Sequence, residues 1–312
     1  MPTVADVKPL HDALADLRPG EPLRHGPLTV IPLTAGPTPE PDWLTLAEAG
    51  EAVTIEEVSQ AGQVPTLRVT NAADRPVLLL DGEELVGAKQ NRVLNTTVLV
   101  AKGARLDIPV SCVEQGRWAY KSARFSVSGA SLYASARAKK AARVSTTLRA
   151  GGRHTGDQGE VWSDMSFMAA THDVKSDTMR DFFERYEQDI AAARAALAPQ
   201  PGQRGALVYR GTHWIGLELL SSPGLFARAW PRLCAGYAAE AVGADVETSE
   251  AIDPGVTLAR LRRQPMEEAP AVGLGREHRM AGDHVAGAAL LVDDVVAHLM
   301  AFPASAELPG KS

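Results

Sequence analysis

Cysteine is scarce in this chain. Cys112 and Cys234 are the whole complement and form no C-x-x-C pair, so neither a disulfide framework nor a structural zinc site is expected. Each is read as a small buried apolar residue rather than a nucleophile. Long apolar runs are lacking too. The first twenty residues carry Asp6, Lys8, Asp12 and Asp16 where a signal peptide has its apolar centre. The best membrane candidate, 285–300, is interrupted by Asp293, Asp294 and His298. A soluble, cytoplasmic protein with no membrane partner is the expectation. Familiar catalytic signatures are absent: there is no G-x-x-x-x-G-K-[ST] loop, no H-E-x-x-H and no G-x-S-x-G elbow. Gly273-Leu274-Gly275 lacks the third glycine of a dinucleotide fingerprint. The eight histidines show no ligand spacing. His172 and His213 flank element boundaries and are weighed as acid/base groups against ordinary hydrogen-bonded histidines.

What the chain does hold is enough apolar material, 45% of 312 residues, to build a core. Its formal net charge of −6 argues against wholesale nucleic-acid binding. The charge is unevenly spread. Between Glu114 and Asp157 there is no carboxylate, while Arg117, Lys121, Arg124, Arg137, Lys139, Lys140, Arg143, Arg149 and Arg153 fall in that interval. Two readings follow: a positive field that draws anions, or a solvated helix face whose acidic partners lie elsewhere in the fold.

Periodicity predicts an α+β fold, a mixed and mostly antiparallel sheet core with a few helices packed on it. Residues 1–26 read as a peripheral segment with a short helix near Leu10–Leu17, 27–303 as one interwoven domain and 304–312 as a tail. Strands are expected at 28–33, 53–58, 67–70, 77–80, through 81–118, at 206–209 and 214–220, and in the C-terminal runs 258–261, 278–281, 284–291 and 295–302. Asp293-Asp294 is the turn between the last two. Pro109 suggests an edge or a strand start. Met179, Phe182, Phe183, Tyr186, Ile190, Ala193 and Leu197 recur at helical spacing, with Asp177 as a possible cap. Trp162, Met165 and Met168 mark a shorter helix. Ser222-Pro223 opens another, which Pro231 should break or kink, leaving 231–242 as its firmest part. Paired glycines five positions apart, Gly82 and Gly87, Gly211 and Gly216, Gly282 and Gly287, suggest a repeated turn-to-strand unit. That echo would place 81–118 in one sheet with the C-terminal strands.

The densest chemistry lies in 81–118. One cluster is Asp81, Glu83, Glu84, Lys89, Gln90, Asn91, Arg92 and Asn95. The other is Cys112, Glu114, Gln115, Arg117 and Trp118. Arg92, Arg117 and Lys89 suit phosphate. Gln90, Asn91, Asn95 and Gln115 suit sugar hydroxyls and amides, and Trp118 a planar ring or a cation. Glu84, Glu114 or Glu83 could be a general base or could ligate Mg²⁺ through oxygen. On a strand, Glu83 and Glu84 point to opposite faces, so only one shares a pocket with Glu114; Glu84 is favoured because Gln90 and Arg92 share its parity. The alternative is a buried hydrogen-bond network that only holds loops in place.

The run DGEELVGAKQNRVLNTTVLV with IPVSCVEQGRW, together with LTVIPL, LTLAEAG, QGEVW, GLELLSSPGLFARAWPRLCAGYAAEA and GAALLVDDVVAHLMAF, resembles the ARG- and rhodanese-phosphatase-superfamily-associated protein domain family. The likeness runs from about Leu28 to Phe302. It implies, through the family's association with ADP-ribosylglycohydrolases and phosphatases, a role in NAD or ADP-ribose metabolism. It brings no catalytic assignment. The expectation is an enzyme acting hydrolytically on an ADP-ribose-like or other phosphorylated nucleotide metabolite. The alternatives are a binding or sensor module for such a metabolite, and a scaffold.

Overall fold

The computed structural model describes residues 4–58, 65–88, 90–114, 124–171, 178–244, 251–282 and 284–304. Helix α1 (Val4–Ala15) leads into β1 (Arg18–Pro19), β2 (Leu23–His25), β3 (Leu28–Thr34), β4 (Leu44–Thr45) and the short α2 (Leu46–Ala49). Then come β5 (Val53–Glu57), β6 (Thr66–Asn71), β7 (Val77–Leu79), β8 (Glu83–Gly87), β9 (Arg92–Leu94), β10 (Val98–Val100), β11 (Arg105–Cys112) and β12 (Phe125–Ser131). Four helices follow: α3 (Ala134–Arg149), α4 (Gln158–Thr171), α5 (Met179–Arg185) and α6 (Glu187–Ala196). The remainder is β13 (Gly205–Arg210), β14 (His213–Leu220), α7 (Pro223–Ala241), α8 (Pro254–Arg262), β15 (Met266–Ala269), β16 (Arg276–Ala281), β17 (Val285–Val292) and β18 (Val295–Pro303). The class is α+β with mostly antiparallel pairing; β4 with β7 is a parallel pair.

Nine strands form the larger sheet, in the order β1-β3-β13-β14-β18-β17-β16-β15 with β2 also on β3. Both its faces are buried, which is why its strands read as continuous apolar runs. Along β3, Leu28 and Val30 enter the core beneath α3, α6 and α7, while Ile31 and Leu33 enter the core shared with α1 and α8. Segment 1–26 supplies that second core with buried Leu10, Leu14 and Leu17. A six-stranded sheet, β12-β8-β9-β11-β6-β5, and a three-stranded one, β10-β7-β4, enclose a third core around Leu67, Val69, Leu85, Leu94 and Ile108. No helix among the described residues is long and apolar enough to cross a membrane.

Several expectations are corrected. The described strands of that stretch, β8 to β11, belong to the smaller sheets and share none with the C-terminal strands. The paired glycines answer local needs instead. Gly82 and Gly211 take positive φ of 79° and 57°, and a Cβ at Gly216 would collide with the Tyr237 hydroxyl. Leu258 and Leu261 sit on α8, not a strand. Asp253 caps that helix by accepting from Gly255 N at 2.8 Å, with Pro254 in its first turn, a start signal that a four-residue apolar window hides. Pro231 does not break α7, which runs through it. Its neighbours Trp230 and Leu233 are buried, and Ala227, whose carbonyl loses its helical partner, is exposed to water, so packing outweighs the lost bond. The periodic stretch after 178 is two helices that meet at Tyr186, and Thr178 caps the first by accepting from Asp181 N; Asp177 lies outside the described residues. Strand β11 is central rather than an edge. Pro109 stands where β11 changes partner, opposite Thr66 on β6 just before Val110 meets Leu94 of β9, and a residue without an N–H fits such a hand-over. Asp293 and Asp294 do form the β17–β18 turn, with positive φ of 49° and 60°.

Candidate functional site

Strand β8 sorts the acidic run by parity. Glu83 turns toward α7: its Oε1 accepts from Arg232 Nε at 2.8 Å and its Oε2 from Leu80 N at 2.9 Å. Glu84 takes the opposite parity, where the charge of Glu114 reaches it. Burial pushes the Glu84 carboxyl up to about 7. The Ser128 hydroxyl and the Arg180 charge pull it down, and Glu114 and Glu184 add to the rise. Its Oε1 has no hydrogen-bond partner among the described residues.

Glu114 is held by the loop between β8 and β9. Its Oε2 accepts from Asn91 N at 3.0 Å, and its carbonyl accepts from Gln90 Nε2 at 3.0 Å and from Cys112 Sγ at 3.1 Å. It also bridges to Thr178 ahead of α5. Gln90 Oε1 accepts from Arg92 Nη1 and from Cys112 Sγ, each at 3.1 Å. Arg92 reaches Glu57 at 3.7 Å. Asn91 Oδ1 accepts from Gly87 N, and Asn95 takes a bond from Ser111 Oγ at 2.8 Å while donating to the His154 carbonyl at 3.0 Å. The structure thus joins Glu84, Gln90, Asn91, Arg92 and Glu114 around the β8–β9 loop and the end of β11. Asn95 lies further along, and Glu83 is on the far side of its strand. All these side chains are buried. Lys89, Gln115, Arg117, Trp118 and His172 lie outside the described residues, and His213 is exposed. Burial pushes the Cys112 thiol up and the Cys234 thiol to about 12, which suits buried apolar residues. Among the described residues no three His, Cys, Asp or Glu side chains group as a metal site.

A second polar cluster, unforeseen from the sequence, joins α3 to both large sheets. Asp81 receives Arg137 Nε at 3.3 Å and Lys140 Nζ at 2.5 Å. Lys140 also donates to the Leu94 carbonyl at 2.6 Å. Arg137 bonds Glu218 on β14, which also accepts from Tyr237 at 2.8 Å and pairs with His298 Nε2 at 2.8 Å. The other His298 nitrogen meets Thr97 at 2.7 Å. Alongside, Glu277 joins Thr96, His154 and Arg279 at 2.9–3.1 Å. Gly82 is required beside this cluster, since a Cβ there would stand 2.9 Å from Arg137 Cδ. Burial alone would raise Glu218; Arg137, then His298, outweigh it and hold the carboxyl at about 2. Burial lowers Lys140 to about 8, against the pull of Asp81.

These contacts answer the question of the basic interval. Its described helical cations have acidic partners elsewhere in the fold: Arg137 with Asp81 and Glu218, Lys139 with Asp164, Lys140 with Asp81, Arg143 with Asp157, Arg149 with Glu267. Arg137 and Lys140 are buried rather than solvated. The partners come from distant segments, so no local spacing announces them.

Fold and site together define an α+β protein in which buried ion pairs clamp a helix between sheets and a less-compensated carboxylate pair lies beside the β8–β9 loop and the end of β11. A family model, the ARG and Rhodanese-Phosphatase-superfamily-associated Protein domain, matches residues 16–302. The chain belongs to that family. Neither the curated proteins nor the solved structures gave a match.

Proposed function

We propose that the protein is an enzyme that hydrolyses a phosphorylated nucleotide metabolite of the ADP-ribose or NAD-derived kind, with Glu84 and Glu114 as its acid–base pair. The observation that carries this reading is the Glu84 carboxyl itself. It is buried, raised to about 7, feels the charge of a second carboxylate and has an oxygen without a hydrogen-bond partner among the described residues. A buried carboxyl raised to about 7 can serve as an acid near neutrality, with a second carboxyl in the same site as the base. Glu114, as carboxylate, takes a proton from the attacking water. Protonated Glu84 delivers one to the leaving oxygen. Gln90, Asn91 and Arg92 position Glu114 through the bonds given above. Lys89, Gln115, Arg117 and Trp118 are the residue types that would hold phosphate, sugar and base. The metabolite class rests on the family's association with ADP-ribosylglycohydrolases.

A second reading, binding or sensing without turnover, draws on the hydrogen bonds that tie Gln90 to Arg92 and hold Gln90 and Asn91 on Glu114. Product analysis after incubation with ADP-ribose and NAD derivatives separates the two. The enzyme reading expects products whose formation falls at least a hundredfold in Glu84→Gln and in Glu114→Gln, on the scale of losing general acid–base catalysis, while both variants stay folded. Undiminished turnover in both variants overturns the assignment. Calorimetric binding with no product supports the sensor.

A further inference from the structure

An open cleft of about 950 Å³ lies between the α2–β5 region, β12 and the helices α6 and α7. It is of the size that takes a small organic ligand. Arg124, Arg194, Arg228 and Arg232 line it against one carboxylate, Glu51. Arg228 is already paired, at 3.0 Å, with Glu40 and Glu48. Arg194 has no ion-pair partner among the described residues. Arg232 is the anchor. Its Nε is fixed on Glu83, and its Nη2 is buried without a hydrogen-bond partner. A guanidinium oriented through one nitrogen and unsatisfied at another is poised to take an anion oxygen. Ile55 and Phe125 give the walls apolar surface, and the Ser126 and Ser128 hydroxyls add short polar groups.

We propose that this cleft binds an organic phosphate, with the arginines on the phosphate and the apolar walls on its organic part. An anion alone would use only the guanidinium side of the cleft, and an uncharged ligand would leave the Arg232 nitrogen unmet. The proposal does not depend on the acid–base reading, although Ser128 touches both places.

The test is calorimetry of the full chain at low salt with phenyl phosphate, inorganic phosphate and phenol as probes. Phenyl phosphate is expected to bind tightest, and phenol not measurably. Arg194→Glu, a change at an exposed position, should weaken phenyl phosphate binding tenfold or more, as for loss of a charge-assisted contact. Arg228→Gln should weaken it several-fold. Arg232→Lys, which keeps a cation for Glu83, should lose most of the remaining affinity without unfolding. Absence of phenyl phosphate binding, or binding that none of the three variants changes, overturns the proposal. Because the readout is binding and not product, its failure is separable from failure of the Glu84–Glu114 assignment.

Discussion

Glu84 and Glu218 are sealed from water to the same degree, 1% and 0% exposed, yet one carboxyl sits at about 7 and the other at about 2. Burial raises both. The difference is what surrounds them. Glu218 accepts from Arg137 and Tyr237 and pairs with His298, so its charge is matched by fixed donors. Glu84 has only the Ser128 hydroxyl and the charge of Arg180 to offset burial, and the charges of Glu114 and Glu184 oppose them. The first arrangement locks structure; the second leaves a proton available for exchange near neutral pH. Local compensation, not depth, separates a clamp from a candidate reaction centre.

The largest effect should come from breaking the compensated side. Arg137→Met leaves Asp81 and Glu218 buried without their shared cation and is expected to cost about 3–5 kcal/mol, read as a shifted midpoint in urea melts. Next is Glu84→Gln, with the opposite sign. A folded-state affinity raised from 4.5 to about 7 means the native form holds a proton that the unfolded chain has released. Glu84 therefore weakens the fold progressively as pH rises from about 4.5 through 7. The amide removes that burden, so the variant should be the more stable one at pH 8 by on the order of 2–3 kcal/mol, with the gap closing below pH 4.5. Glu218 works the other way: its stabilisation is complete above 4.5 and is lost as pH falls toward 2. A Glu84→Gln variant whose stability tracks the parent at every pH would erase the contrast. The smallest effect is expected at Arg68–Asp107, an ion pair of 2.7 Å between partly exposed side chains. Arg68→Ala should leave the melting midpoint within experimental scatter, because solvent already screens that pair.

Much of the fold was legible because burial imprints a period. The two-residue alternation of β11, the unbroken apolar run of β3 and the Asp293-Asp294 turn all carry local signals. Helix α8 was missed, since Leu258 and Leu261 fit a strand or a helix equally over four residues and the Asp253-Pro254 start signal lies outside that window. The separate placing of Glu83 and Glu84 follows from strand parity alone. The partners of Arg137 and Lys140 do not, because Asp81 and Glu218 come from two remote segments. The cleft arginines had a visible cue in Arg228 and Arg232, one helical turn apart, but expecting Pro231 to interrupt the helix concealed their shared face.

The pairing of β3 with β13, and of β14 with β18, sets an order on biosynthesis. On one edge β3 can pair at once with the neighbouring β2, where Arg24 stands opposite Thr29, but on its other edge Thr29 meets Tyr209 only once β13 has emerged, and Glu218 meets Met300 later still. At about 5–20 residues added per second, that second edge of β3 stays open for many seconds with Leu28, Val30, Ile31 and Leu33 not yet covered by the later elements of the core. Closing such distant contacts is slow in its own right. The nascent chain is therefore a natural client for chaperones, and its folding yield should depend on temperature and expression rate more steeply than the stability of the finished molecule does.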